Sequence, residues 1–121
     1  MEIKRIIGKV HGPYSNVVIV GNLVFISGQL PTNEEGQIRS MSIKEQTKDA
    51  LENLKKAIEQ LGLTLENVVS VRVYLTNLDD FNTMNEVFSQ YFERFPPARA
   101  TVIVSSLPKN AKIEIEAIAT L

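Results

Sequence analysis

Apolar residues recur with two different periods along this chain, and the switches between them mark out its elements. Val17–Val20 and Leu23–Ser27 are short apolar runs separated by Gly21-Asn22, the pattern of two strands joined by a tight turn. Pro31 to Ser40, with Gly36 inside it, is polar and reads as a loop. From Ser42 the period lengthens. Ile43, Ala50, Leu51, Leu54, Ala57, Ile58 and Leu61 fall on one helical face. Ser42 and Glu45 have capping-box spacing, so each side chain can satisfy an orphan backbone N–H. Gly62 tolerates the left-handed geometry that ends a helix.

The period then returns to two. Val69, Val71, Val73 and Leu75 alternate with Ser70, Arg72, Tyr74 and Thr76, which predicts a strand. A second helix is expected from about Asp79, with Phe81, Met84, Phe88, Tyr91, Phe92 and Phe95 on its core face, stopped by Pro96-Pro97. Ala98–Val104 and Ile113–Leu121 read as the last strands, joined by the turn-rich stretch Ser105 to Asn110. Right-handed crossovers put both helices on one face of the sheet. The other face is then bare and half apolar, with Ile103 and Ile118 expected to share it. Such a face is usually buried against a second copy, so an oligomer is expected.

Composition narrows the class. A length of 121 residues suits a single domain over 1–121. The 13 Lys and Arg are offset by 14 Asp and Glu, a net charge of −1, which makes nucleic acid a poor partner. With no cysteine there is neither a disulfide nor a thiolate nucleophile, and the single histidine, His11, cannot build a His-rich metal site. No metal or cofactor is expected. The start of the chain lacks a signal-peptide pattern and no long apolar run spans a membrane, so a cytoplasmic setting is expected.

One constellation could carry chemistry. Arg99 and Thr101 are two apart on one strand, and Glu114 and Glu116 are two apart on the next, so each pair shares a face. If these strands pair antiparallel about Leu107-Pro108, Thr101 lies near Glu114 and Arg99 near Glu116, all on the helix-free face. Arginine can grip a substrate carboxylate through two parallel hydrogen bonds, and a carboxylate can take a proton from water. The plainer reading is a cross-strand ion pair on a wet surface. Gly12-Pro13-Tyr14-Ser15 and Ser27-Gly28-Gln29 are weaker signals, a turn and a strand end where the backbone can be approached closely.

Taken in order, Gly12-Pro13-Tyr14-Ser15, Ser27-Gly28-Gln29, Asp80 to Asn85, Pro97-Ala98-Arg99, Leu107-Pro108-Lys109 and Lys112 to Ala119 resemble the RidA/YjgF reactive-intermediate deaminase family. The likeness runs from Ile6 to Thr120. It implies a chorismate-mutase-like α+β fold, a mixed sheet with two helices on one face. It also implies a homotrimer whose sheets line a central barrel, with clefts between subunits. By the same resemblance, Arg99 binds the substrate carboxylate and Glu114 handles the attacking water. Tyr14, Ser27, Gly28, Asn85 and Thr101 would line the cleft. Thr101 stands where the family often has cysteine. The implied reaction is cofactor-free hydrolysis of 2-enamino or 2-imino acids, such as 2-aminoacrylate, to 2-keto acids and ammonia. The rival readings are a keto-acid-binding regulatory protein on the same scaffold and an endoribonuclease or translation inhibitor. The charge balance counts against the latter.

Overall fold

The computed structural model describes residues 1–121. Six strands run β1 (Ile3–Ile6), β2 (Val17–Val20), β3 (Leu23–Gln29), β4 (Val68–Leu75), β5 (Ala98–Ile103) and β6 (Ile113–Thr120). Helix α1 (Ile43–Glu59) joins β3 to β4, and α2 (Phe81–Phe92) joins β4 to β5. The sheet order is β1-β2-β3-β6-β4-β5, with β4 and β5 parallel and the other neighbours antiparallel. This mixed sheet with two helices is the expected α+β fold. No helix is long and apolar enough to cross a membrane.

The turn at Gly21, with φ of 59°, joins β2 to β3 as its sequence requires. Helix α1 buries Ala50, Leu51, Leu54, Ala57 and Ile58 against the sheet. Each fully buried leucine or isoleucine contributes roughly 1.5–3 kcal/mol. Ser42 caps this helix through Glu45 N at 3.3 Å, but the capping box closes on one side only. Ser42 N donates instead to Ser40 Oγ at 3.1 Å, and the Glu45 carboxylate pairs with Arg39 at 3.0 Å. Gly62 adopts a φ of 77° just past the helix. Ahead of α2, Leu78–Asp80 forms a 3-10 turn capped by Asn77, so the helix starts at Phe81 and not near Asp79. Met84, Phe88 and Phe92 join the core as expected, whereas Phe95 is exposed.

The expected pairing of the last two strands is overturned. β5 does not meet β6 but lies parallel to β4 at the sheet edge. The α2 crossover places β5 beside β4, and β3 and β4 run the same way with one slot between them. β6 fills that slot antiparallel to both, burying Ile113, Ile115, Ala117 and Ala119. In consequence Ile103 and Ile118 do not share a face: Ile103 aligns with Leu75 on the helix side, and Ile118 aligns with Phe25 on the open side. A register shift between Val68 and Ser70 puts Val68 in the core and leaves Val69 exposed, against the simple alternation. β1 was not legible as a strand and extends the edge beside β2. The open face is half apolar as expected, and Phe25 at its middle stays 40% exposed.

Candidate active site

Glu114 stands on the open face of β6, opposite Tyr74 of β4. On its other side β3 is irregular between Ile26 and Gln29, and Gly28 falls in that irregular stretch. The missing side chain matters: a Cβ on Gly28 would lie 2.3 Å from Glu114 Oε2. The carboxylate therefore rests on bare backbone. No ion pair reaches it. Burial, and next the like charge of Glu116, push its pKa above the ordinary carboxylate value. A carboxylate so placed is a stronger base than a solvated one.

The surrounding groove, about 1050 Å³, also takes in Tyr14, Ser27, His11 and Lys109. Ser27 fixes the loop above it: its Oγ donates to Ser15 O at 2.7 Å and its N–H to Asn16 O at 2.9 Å. The Tyr14 hydroxyl accepts from His11 N at 3.3 Å. Lys109, in the left-handed region at φ 60°, reaches across to donate from Nζ to Gly36 O. This tie fixes Gly36 of the Pro31–Ser40 loop beside the groove, which both residues line. His11 and Lys109 carry no motif of their own, although Lys109 belongs to the Leu107-Pro108-Lys109 stretch.

Arg99 is elsewhere. It aligns with Val71 and so projects from β5 to the helix side, opposite to Glu114 and Glu116. The expected gathering of guanidinium and carboxylates on one face does not occur within the chain. Arg99 packs on α2, with its guanidinium carbon 4.9 Å from the Phe88 ring centre and 5.7 Å from that of Phe81. One Nη lies 3.8 Å from Met84 Sδ, and no carboxylate is within ion-pair distance. Burial lowers its pKa. Asn85 shares this face of α2 by its spacing from Phe81 and Phe88, and its Oδ1 is buried without a partner. Thr101 lies two residues along the same face of β5. Glu116 takes Arg72 at 3.0 Å as its ion partner, together with the Tyr74 hydroxyl, in place of the expected Arg99.

The named residues thus sort into two clusters: Tyr14, Ser27, Gly28 and Glu114 at the groove, and Asn85, Arg99 and Thr101 at the β5–α2 edge. A family model described as "Endoribonuclease L-PSP" matches residues 4–121. The chain belongs to this family, the RidA/YjgF proteins. It is 52% identical over 109 residues to a RutC family protein of Pyrococcus abyssi, covering 89% of this chain and 86% of that one. The 2-iminobutanoate/2-iminopropanoate deaminase of Homo sapiens is 43% identical over 109 residues, covering 89% and 80%. The crystal structure of RidA from the Antarctic bacterium Psychrobacter superposes with a TM-score of 0.89 at 42% identity, covering 93% and 92%. The family resemblance carried by the ordered motifs is therefore correct.

Proposed function

We propose that this chain hydrolyses 2-imino and 2-enamino acids to 2-keto acids and ammonia, at sites completed between copies of a homotrimer. One observation carries the reading: Glu114 in the groove has no ion partner, and Arg99 at the β5–α2 edge has no carboxylate partner. A second copy brings the two together, and the half-apolar open face supplies a surface for association. The deaminase names of close relatives support the chemistry.

In this reading Arg99 of one copy binds the substrate carboxylate through its planar fork. The enamine tautomerises to the imine, whose C2 is electrophilic. Glu114 of the neighbouring copy takes a proton from water as the oxygen bonds to C2. Nitrogen takes that proton to complete the carbinolamine. Glu114 then relays the C2 hydroxyl proton to nitrogen as the C=O bond forms and the C–N bond breaks, so that ammonia leaves the 2-keto acid. Tyr14, Ser27 and the Gly28 backbone orient the acid and water, and Asn85 and the Thr101 hydroxyl complete the pocket. No cofactor takes part. Residues 1–121 act as one domain, and a cytoplasmic location suits a chain free of cysteine. The family model's description raises RNA cleavage as a second reading. The net charge of −1 weighs against it.

Subunit mixing tests the proposal. Imines are generated in situ by an amino-acid oxidase and keto-acid release is followed. Arg99→Ala is expected to lose roughly thirty-fold to several thousand-fold in rate, the worth of a buried charged contact. Glu114→Gln alone is also expected to be inactive. Reassembled together in equal amounts, the two variants pair an intact Glu114 with an intact Arg99 at about one cleft in four, given cyclic symmetry. Recovery of about a quarter of parental turnover is expected. No recovery from verified mixed trimers, or a monomeric parent at micromolar concentration, overturns the composite site.

A further inference from the structure

We infer that Phe88 is a positioning residue for Arg99, holding the guanidinium by its ring face so that the cation is fixed in direction without being neutralised. This rests on the reading that Arg99 receives the substrate carboxylate.

An arginine kept for a ligand poses a physical problem. Left free, its long side chain samples many rotamers and pays entropy on binding. Tied to an aspartate or glutamate, it is ordered, but its charge and its fork of donors are already spent. A third solution is to stack it. The aromatic face carries partial negative charge and attracts a cation within about 6 Å without taking any N–H donor. Arg99 has this arrangement: the Phe88 ring centre is 4.9 Å from its guanidinium carbon, and Phe81 flanks it at 5.7 Å. Its five N–H groups find only one acceptor in the chain, the thioether of Met84 at 3.8 Å, which is weak. The edge of the fork stays available to a carboxylate. Phe88 is itself anchored, 7% exposed and packed on Phe92 with ring centres 4.7 Å apart. A fixed ring makes a fixed platform.

Phe88 also belongs to the hydrophobic core, and that role alone would explain its burial. The two roles respond to different changes. Packing depends on volume and apolarity, whereas stacking depends on the electron density of the ring face. Replacing Phe88 with increasingly fluorinated phenylalanines keeps the shape and drains that density step by step. The probe is pyruvate, a 2-keto acid of the product class, with its dissociation constant read by calorimetry and imine turnover measured beside it.

Pyruvate binding and KM are expected to weaken progressively along the fluorinated series, by about three- to thirty-fold at its end. The kcat and the melting temperature should change far less, because the carboxylate grip acts on bound substrate and transition state alike. Phe88→Tyr, which keeps the ring face, should stay near the parent. In an Arg99→Ala background the fluorinated series should have no effect on residual pyruvate binding. A flat series in the parent background overturns the positioning role and leaves Phe88 as core alone. If Arg99→Ala itself leaves pyruvate binding and turnover intact, the failure lies in the assignment of Arg99 and not in the stacking.

Discussion

Replacing Gly28 by alanine adds one methyl group at the point where β3 and the Glu114 carboxylate touch. The backbone accepts it, because Gly28 does not occupy the left-handed region. The space does not: the new Cβ would lie 2.3 Å from Oε2, 2.7 Å from Cδ and 3.1 Å from Cγ of Glu114. To reach a contact of 3.4 Å from 2.3 Å, the oxygen must retreat by about 1 Å. The obstacle is the end of a flexible side chain, so Glu114 rotates aside and the strands hold. An off-rotamer side chain costs about 0.5–1.5 kcal/mol, a modest loss of stability. Catalysis is less forgiving, since a reacting group misplaced by about 1 Å can lose on the order of 100-fold in rate. Gly28→Ala is thus expected to stay folded, to lower kcat about 100-fold in the imine-hydrolysis assay, and to melt only slightly below the parent. Gly62→Ala is the converse control. There φ is 77° and nothing lies within 4 Å, so the methyl meets only backbone strain. That strain should cost about 1–2 kcal/mol of stability with turnover untouched. Parental kcat in Gly28→Ala would refute the placement of Glu114 at the reacting centre.

Two carboxamide variants separate base from bystander. Glu114 holds its proton more tightly in the folded chain than in the unfolded one, so ionising it costs stability above its raised pKa and costs nothing below the ordinary carboxylate range. Glu114→Gln should therefore melt above the parent at neutral pH, lose that advantage on acidification through the same range, and lack turnover. Glu116→Gln breaks the Arg72 pair and removes the like charge that helps raise the Glu114 pKa. Turnover near neutrality should persist, while the acid limb of the pH–rate profile shifts to lower pH; an unmoved limb would sever the link between the two carboxylates.

Local rules made much of the architecture legible. The Ser42 cap, the α1 stripe and the Gly62 stop each follow from a few neighbouring residues, and each is present. What failed depends on distant choices. Nothing in Ala98–Ile103 and Ile113–Thr120 says that the later strand skips over the earlier one to lie between β3 and β4. That single topological fact moved Arg99 to the helix side and gave Glu116 to Arg72. Val69 failed for a similar reason, since a bulge reverses every side chain beyond it. The tie from Lys109 to Gly36 spans 73 positions and has no local signature. The choice of site residues came through the ordered family motifs, because spacing alone suggested an ion pair that the fold does not make.

The polar groups left unsatisfied by the fold are not scattered. Glu114 is desolvated without an ion pair, Arg99 is desolvated with a thioether as its only in-chain acceptor, and Asn85 Oδ1 is buried with no partner. Elsewhere the chain meets such demands closely. The fully buried Gln46 donates to Ser40 O at 2.9 Å and accepts from Lys112 N at 2.8 Å, and Asn53 bridges Leu30 O and Thr32 O at 2.8 and 2.9 Å. Leaving a buried polar group unpaired costs about 1–3 kcal/mol, so a sequence that satisfies Gln46 and Asn53 has no stability reason to neglect the other three. Their needs are complementary: a base seeking a proton, a cation seeking an anion, and an amide oxygen seeking a donor. In the proposed reaction a protonated imino acid and its attacking water would supply all three, the water giving the proton, the carboxylate the anion and the iminium N–H the donor. Places where a fold breaks its own local rules are where function is expected, and here the breaks fall on both halves of the composite site we propose.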